Sequence, residues 1–164
     1  MNEEIDIVRR NAGHLDSKVV EALQRANDID SLLYEAEPGE IPNVAGSGFE
    51  VLCAVMRIAT QARDQVIGYA KTFSNIPEVE RSKSLAPLVL ELIHREQLSG
   101  QTVEETAQKM YEICDKAKGP GEDWDALARE IGQLIRRAAG AISFEADSLR
   151  LIVDGHAPPP REIH

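Results

Sequence analysis

Read as a pattern of apolar and polar positions, the chain offers helical periodicity from one end to the other, and no stretch alternates in the two-residue rhythm of a strand. The most apolar stretch runs from Phe49 to Phe73. It contains no proline, and four of its five charged residues, Glu50, Arg57, Asp64 and Lys71, recur every seventh residue. On a helix each seven-residue step falls about 20° short of two turns, so these four residues form one narrow stripe. Phe49, Val51, Leu52, Val55, Met56 and Ile58 occupy much of the remaining circumference. A helix that offers water so little must be wrapped by neighbours, and the pattern predicts a central buried helix over about 49–73.

Other elements follow from start and stop signals. Residues 3–12 carry Ile5, Val8 and Ala12 on one side and meet Gly13, which predicts a short helix ending there. Asp16 or Ser17 then opens a second helix with Ala22, Ala26, Ile29 and Leu33 on its inner face, stopped near Glu37 by Pro38-Gly39. The segment from Pro38 to Gly48 is rich in proline and glycine and reads as a loop. Ser47 and Glu50 have capping-box spacing, which sets the predicted start of the central helix. Gly46-Ser47-Gly48 lacks the lysine and spacing of a phosphate-binding loop, so the cap is the better reading.

Beyond Phe73, Pro77 could open a short turn. Ser84 caps a helix over 85–98 with Leu85, Leu88, Val89, Leu92 and Ile93 inward, and Ser99-Gly100 stops it. Thr102 and Glu105 form a second capping box for a helix to about Lys118, with Val103, Ala107, Met110, Cys114 and Ala117 spaced for one stripe. Asp123 caps the last helix, from Trp124 to Asp154, with Leu127, Ile131, Leu134, Ala138, Ile142, Leu149 and Ile152 along its inner side and Gly132 and Gly140 as points of weakness or close approach. The sum is an all-α, single-domain helical bundle of five to six helices over 1–155, followed by a proline-rich extended tail over 156–164.

Composition narrows the function classes. The chain has 164 residues, enough to bury a core without staples, and only 4% are aromatic, so aliphatic residues and alanine must fill it. With 28 acids against 18 bases the formal charge is −10. That balance argues against nucleic acid, whose phosphates require a basic face. No run approaches the roughly 18 apolar residues of a membrane span, and the acidic first residues are unlike a secretory leader. Cys53 and Cys114 have no metal or redox spacing, which suits a reducing, cytoplasmic setting.

Candidate chemistry is sparse. Glu91 and His94 match one Glu-x-x-His element of two-metal bundles, but the sequence supplies no second element. Arg9 and His14 could pair a phosphate-holding base with an acid–base imidazole, although they straddle an expected helix end. Glu104, Glu105, Glu112 and Asp115 could hold magnesium in a helical-bundle phosphohydrolase. Against that, Glu21/Arg25, Glu91/Arg95, Glu105/Lys109, Glu112/Lys116 and Asp125/Arg129 are acid-then-base pairs at i, i+4, as on a solvated helix face. Cys53 lies among hydrophobes and should resist ionisation.

One feature is less ordinary. Between Arg25 and Arg57 no basic residue occurs, while Asp28, Asp30, Glu35, Glu37, Glu40 and Glu50 fall within that span. The leading expectation is therefore an acidic cytosolic interaction protein (a regulator, an inhibitor or immunity-type protein, or an assembly subunit) that uses no cofactor. It would dock a basic partner protein through Asp28, Asp30, Tyr34, Glu35, Glu37, Glu40, Ile41 and Val44. The alternative is the metal-dependent phosphohydrolase. The apolar 49–73 helix is also compatible with burial by a second copy of the chain.

Overall fold

The computed structural model describes residues 2–73, 85–117 and 123–156. Within these residues the chain is helical apart from the turn at 36–40 and residue 123, in four rods: α1 (Asn2–Glu35), α2 (Ile41–Phe73), α3 (Leu85–Ala117) and α4 (Trp124–His156). Each of the last three has 33 residues and is about 50 Å long at 1.5 Å per residue. The all-α class holds, with four helices among the described residues in place of the five to six expected. The tail from 157 onward, the turn at Pro77, and the side chains of Leu85, Leu88, Val89, Glu91, Leu92 and Ile93 lie outside the described residues.

The difference in count comes from glycines that do not end helices. At Gly13 the buried stripe continues without interruption through Val8, Ala12 and Leu15. Packing of that stripe outweighs the roughly 1 kcal/mol that an interior glycine costs. Ser17, expected near a helix start, instead returns its hydroxyl to the Gly13 carbonyl at 3.3 Å, a bond made inside a helix. At Gly100, α3 passes under Arg63 of α2, and a Cβ there would sit 2.9 Å from the guanidinium nitrogen. Gly100 provides clearance, and the expected stop is absent. The second capping box is not used either: Thr106 Oγ1 donates to the Thr102 carbonyl at 2.7 Å, while Glu105 reaches across to Arg137 of α4.

The start of α2 is also earlier than expected. Pro38 and Gly39 form a tight turn closed by Glu40 N–H donating to the Glu37 carbonyl at 2.9 Å. The Glu40 carbonyl then accepts from Asn43 and Val44, so the helix begins at Ile41. Pro42 falls in the first turn, where its missing N–H is harmless. Asp123 caps α4 as expected, its carboxylate accepting from Ala126 N–H at 3.2 Å.

Cross-helix pairs define the topology. Asp16 pairs with Arg150 and Asp30 with Arg136, so α1 and α4 are antiparallel. Glu105 pairs with Arg137 and Lys116 with Glu130, so α3 and α4 are antiparallel too. Asn11 donates to the Tyr69 hydroxyl at 2.8 Å, joining the start of α1 to the end of α2. The result is an up-down-up-down four-helix bundle in which α1 and α3 each pack on both α2 and α4.

The most deeply wrapped rod is α4, not α2. Ile131, Ile135, Ala138, Ala139, Ile142, Ala146, Leu149 and Ile152 are all at most 2% exposed, and Glu145 and Ser148 are buried beside them. Ser148 satisfies its hydroxyl on the Phe144 carbonyl at 2.9 Å. By contrast α2 buries one stripe, through Leu52, Val55, Met56, Ala59, Ala62 and Val66, while Val51 and Ile58 are half-buried and Ala54 is exposed. Central position thus passes to the C-terminal helix. It was masked in the sequence by its charges: Arg136, Arg137 and Arg150 make α4 look amphipathic, yet each extends sideways to an acid on a flanking helix. These pairs are more than one-third exposed, so each is worth at most about 1 kcal/mol.

Two comparisons test this account by urea denaturation. Ile142→Ala should cost about 2–5 kcal/mol, as a truncation in a sealed core does, whereas Ile58→Ala on the half-buried flank of α2 should cost clearly less. At the α1–α2–α4 contact, a Cβ on Gly48 would meet Ile131 Cγ2 at 3.1 Å and Ile29 Cδ1 at 3.2 Å, whereas Gly46 has no such neighbour within 4 Å. Gly48→Leu is expected to destabilise by about 1–3 kcal/mol through overpacking. Gly46→Ala should stabilise by about 0.5–1 kcal/mol through helix propensity alone.

Candidate functional site

The acidic residues singled out from the sequence separate into two groups. Asp28 is half-buried, accepts from Gln24 Nε2 at 3.1 Å and pairs with Arg25 at 3.9 Å. Asp30 is engaged by Arg136 of α4, which also donates to Asn27 Oδ1 at 3.3 Å. Both aspartates therefore serve the α1 surface and the α1–α4 seam. Glu35, Glu37 and Glu40 differ: they surround the α1–α2 turn, are exposed, and do not figure in the ion pairs formed among the described residues. Tyr34 projects beside them at 93% exposure. Ile41 is half-buried and Val44 packs on the core, so they support the turn more than they offer a surface.

Beside this turn lies an apolar cleft of about 410 Å³, formed where the first turns of α2 and α4 meet the last turns of α3. Pro42, Ala45, Gly46 and Phe49 line it from α2, Ile113, Cys114 and Ala117 from α3, and Trp124, Leu127 and Ile131 from α4. Sequence reasoning missed it, because the three contributing segments are far apart in the chain and each reads separately as core. A larger groove of about 570 Å³ runs between α1 and α2, past Val51, Ala54 and Ile58. Its α1 rim carries Lys18, Glu21, Arg25 and Asp28, which are paired Lys18–Glu21 and Arg25–Asp28. That rim offers no net charge to a partner.

Neither family models, curated proteins nor solved structures yield a match. Its function has to be read from this geometry alone.

The carboxylates considered for magnesium are dispersed. Glu105 is held by Arg137 and Glu112 by Lys109 at 3.1 Å, while Glu104 and Asp115 are exposed. Among the described residues no group of three His, Cys, Asp or Glu side chains is arranged to hold a metal ion. Among the described residues the intrahelical pairs occur at i, i+3 in place of the expected i, i+4, as in Lys18–Glu21, Arg25–Asp28 and Lys109–Glu112, while the side chains of Glu91 and Arg95 lie outside the described residues. Arg9 pairs with Asp6 at 3.8 Å and His14 is exposed, both within continuous α1. His94 is exposed on α3. No helix of the described residues is long and apolar enough to cross a membrane.

Both cysteines are free and half-buried. Burial pushes the Cys53 thiol above its ordinary value, and the charge that a Cys114 thiolate would carry pushes it further, against smaller opposing effects of Arg57 and of a backbone hydrogen bond. The group is an acid whose folded-state pKa is raised. The unfolded chain therefore loses this proton first as pH rises, and folding stability should decline above the ordinary thiol range. Iodoacetamide labelling between pH 7 and 9 should be slower at Cys53 in the native protein than in urea. Equal rates would contradict a desolvated thiol.

Proposed function

We propose that this protein is a small acidic interaction protein of the cytosol that docks a partner protein with a basic surface, at the α1–α2 end of the bundle. The observation that carries the reading is the group Tyr34, Glu35, Glu37 and Glu40: a protruding aromatic among exposed carboxylates. Across that whole span, from Arg25 to Arg57, the sequence supplies no base to neutralise them. Exposed charge of one sign accelerates encounter with an opposite surface and sets orientation, and an aromatic such as Tyr34 is the residue type that anchors interfaces. Asp28 and Asp30, first grouped with these acids, contribute through the fold because Arg25 and Arg136 engage them. The net charge of −10 and the two free thiols agree with a basic partner in a reducing compartment.

Affinity capture with the native chain and with a Glu35→Lys/Glu37→Lys/Glu40→Lys variant tests the reading. The native chain should retain a basic partner that elutes as salt is raised. The triple reversal should weaken its binding by at least about tenfold while leaving the thermal midpoint nearly unchanged, as surface substitutions do. A partner bound equally well by both proteins, or none retained, would count decisively against it.

A further inference from the structure

We infer that the apolar cleft beside the acidic turn is the anchor pocket for a basic amphipathic helix of the partner, a conclusion that rests on the docking function proposed above. The cleft volume of about 410 Å³ falls in the range of sites that enclose a ligand group, about 300–1,000 Å³. Its walls include two aromatics, Phe49 and Trp124, and apart from the Cys114 thiol and the indole N–H its lining side chains are hydrocarbon. A free small molecule is usually oriented by a few convergent polar groups inside its pocket, and this pocket offers little of that kind.

The polar groups are outside, in sequence positions that border the lining: Glu37 and Glu40 precede Pro42, Asp115 follows Cys114, and Asp123, the α4 cap, and Asp125 flank Trp124. Against these stand Lys116 and Lys118 about Ala117, of which Lys116 is paired with Glu130, so the border is acidic on balance. An apolar centre with an acidic border is the complement of a helix with apolar residues at i, i+3 or i+4 and i+7, flanked by lysine or arginine. Desolvation of the anchor in the cleft would supply affinity, and the border carboxylates would set orientation and partner choice. A second copy of this chain fits poorly, because two such ends would oppose acid with acid in a protein already at −10.

The chain carries one tryptophan, Trp124, and it lines the cleft, so its fluorescence reports directly on occupancy. The full chain is titrated with a synthetic 18-residue Leu/Lys peptide whose leucines fall on one helical face. Matched Leu/Gln and scrambled Leu/Lys peptides serve as controls, and calorimetry provides the affinity. Saturable binding with a blue shift of Trp124 emission is expected for the amphipathic Leu/Lys peptide, with the scrambled peptide at least tenfold weaker. Gly46→Leu fills the cleft from a position where a Cβ meets nothing within 4 Å, and it should lower affinity at least tenfold while circular dichroism and melting show an intact fold. Glu37→Lys/Glu40→Lys should lower it several-fold and flatten the salt dependence.

Unchanged affinity in Gly46→Leu together with loss in the charge reversal would overturn the anchor pocket while leaving acidic docking in place. Equal binding of Leu/Gln and Leu/Lys peptides would overturn the basic character of the ligand and the docking function with it. No saturable response to the Leu/Lys peptide, or a Trp124 shift produced only by a small apolar probe such as naphthalene, would overturn the helix as occupant.

Discussion

Burial of α4 by the other three helices is the constraint on which the rest of the structure depends. Ile131, Ile135, Ile142, Leu149 and Ile152 are sealed from water, and α1, α2 and α3 each supply part of the seal. Removal of this apolar surface from water is the main favourable contribution. Small residues set how closely the rods approach. Ala138, Ala139, Ala141 and Ala146 on α4 face inward with Ala59 and Ala62 of α2 and Ala22 and Ala26 of α1 among the buried residues. With few aromatics available, the core is built from aliphatic side chains spaced by alanines. Density then comes from close approach of backbones instead of from bulk.

Polar contacts fix alignment more than they add stability. Asp16–Arg150 and Asp30–Arg136 are spaced along the α1–α4 seam, with Glu105–Arg137 and Lys116–Glu130 along the α3–α4 seam. All are solvated enough to be screened, yet a slip of either seam by one turn would put charges opposite the wrong neighbours. The seam pairs engage Asp16, Asp30, Glu105 and Glu130, and intrahelical pairs engage Asp6, Glu21, Asp28, Glu112 and Asp147. Other acids, among them Glu3, Glu4, Glu50, Glu104, Asp115 and Asp154, are exposed elsewhere on the helices. At the α1–α2 turn, however, Glu35, Glu37 and Glu40 are exposed in a span that supplies no base, and the apolar cleft opens beside that turn.

Local signals gave sound helix faces and unsound helix ends. The stripe Leu127, Ile131, Leu134, Ala138, Ile142, Leu149 and Ile152 of α4 was readable from its spacing, but the burial of Ile135, Ala139, Glu145, Ala146 and Ser148 beside it was not. The Asp123 cap was read correctly. Gly13 and Gly100 were read as stops because an isolated glycine does weaken a helix, but the contribution that overrides it comes from packing across the bundle. Ser47 and Thr102 resemble caps by local pattern, yet both lie inside helices whose starts are set elsewhere. Of the candidate docking residues, Tyr34, Glu35, Glu37 and Glu40 were legible because the absence of bases is a sequence property. The engagement of Asp28 and Asp30 was only half legible. Arg25 is close in sequence, but Arg136 lies on the far side of the chain.

The sequence by itself determined that this chain is of the all-α class, that one stripe of each of α1, α2 and α4 turns inward, and that one span is acidic without compensation. Those properties follow from periodicity and composition, which act over a few residues at a time. Only the tertiary structure decided which helix is central, since a long arginine on α4 can reach a neighbour's acid while its own backbone stays buried, whereas the apolar flank of α2 at Val51 and Ile58 stays half-open. It also decided where the cleft lies. Phe49, Cys114 and Trp124 belong to three separate amphipathic patterns, and their meeting depends on how three rods are aligned against a fourth, which no local pattern encodes.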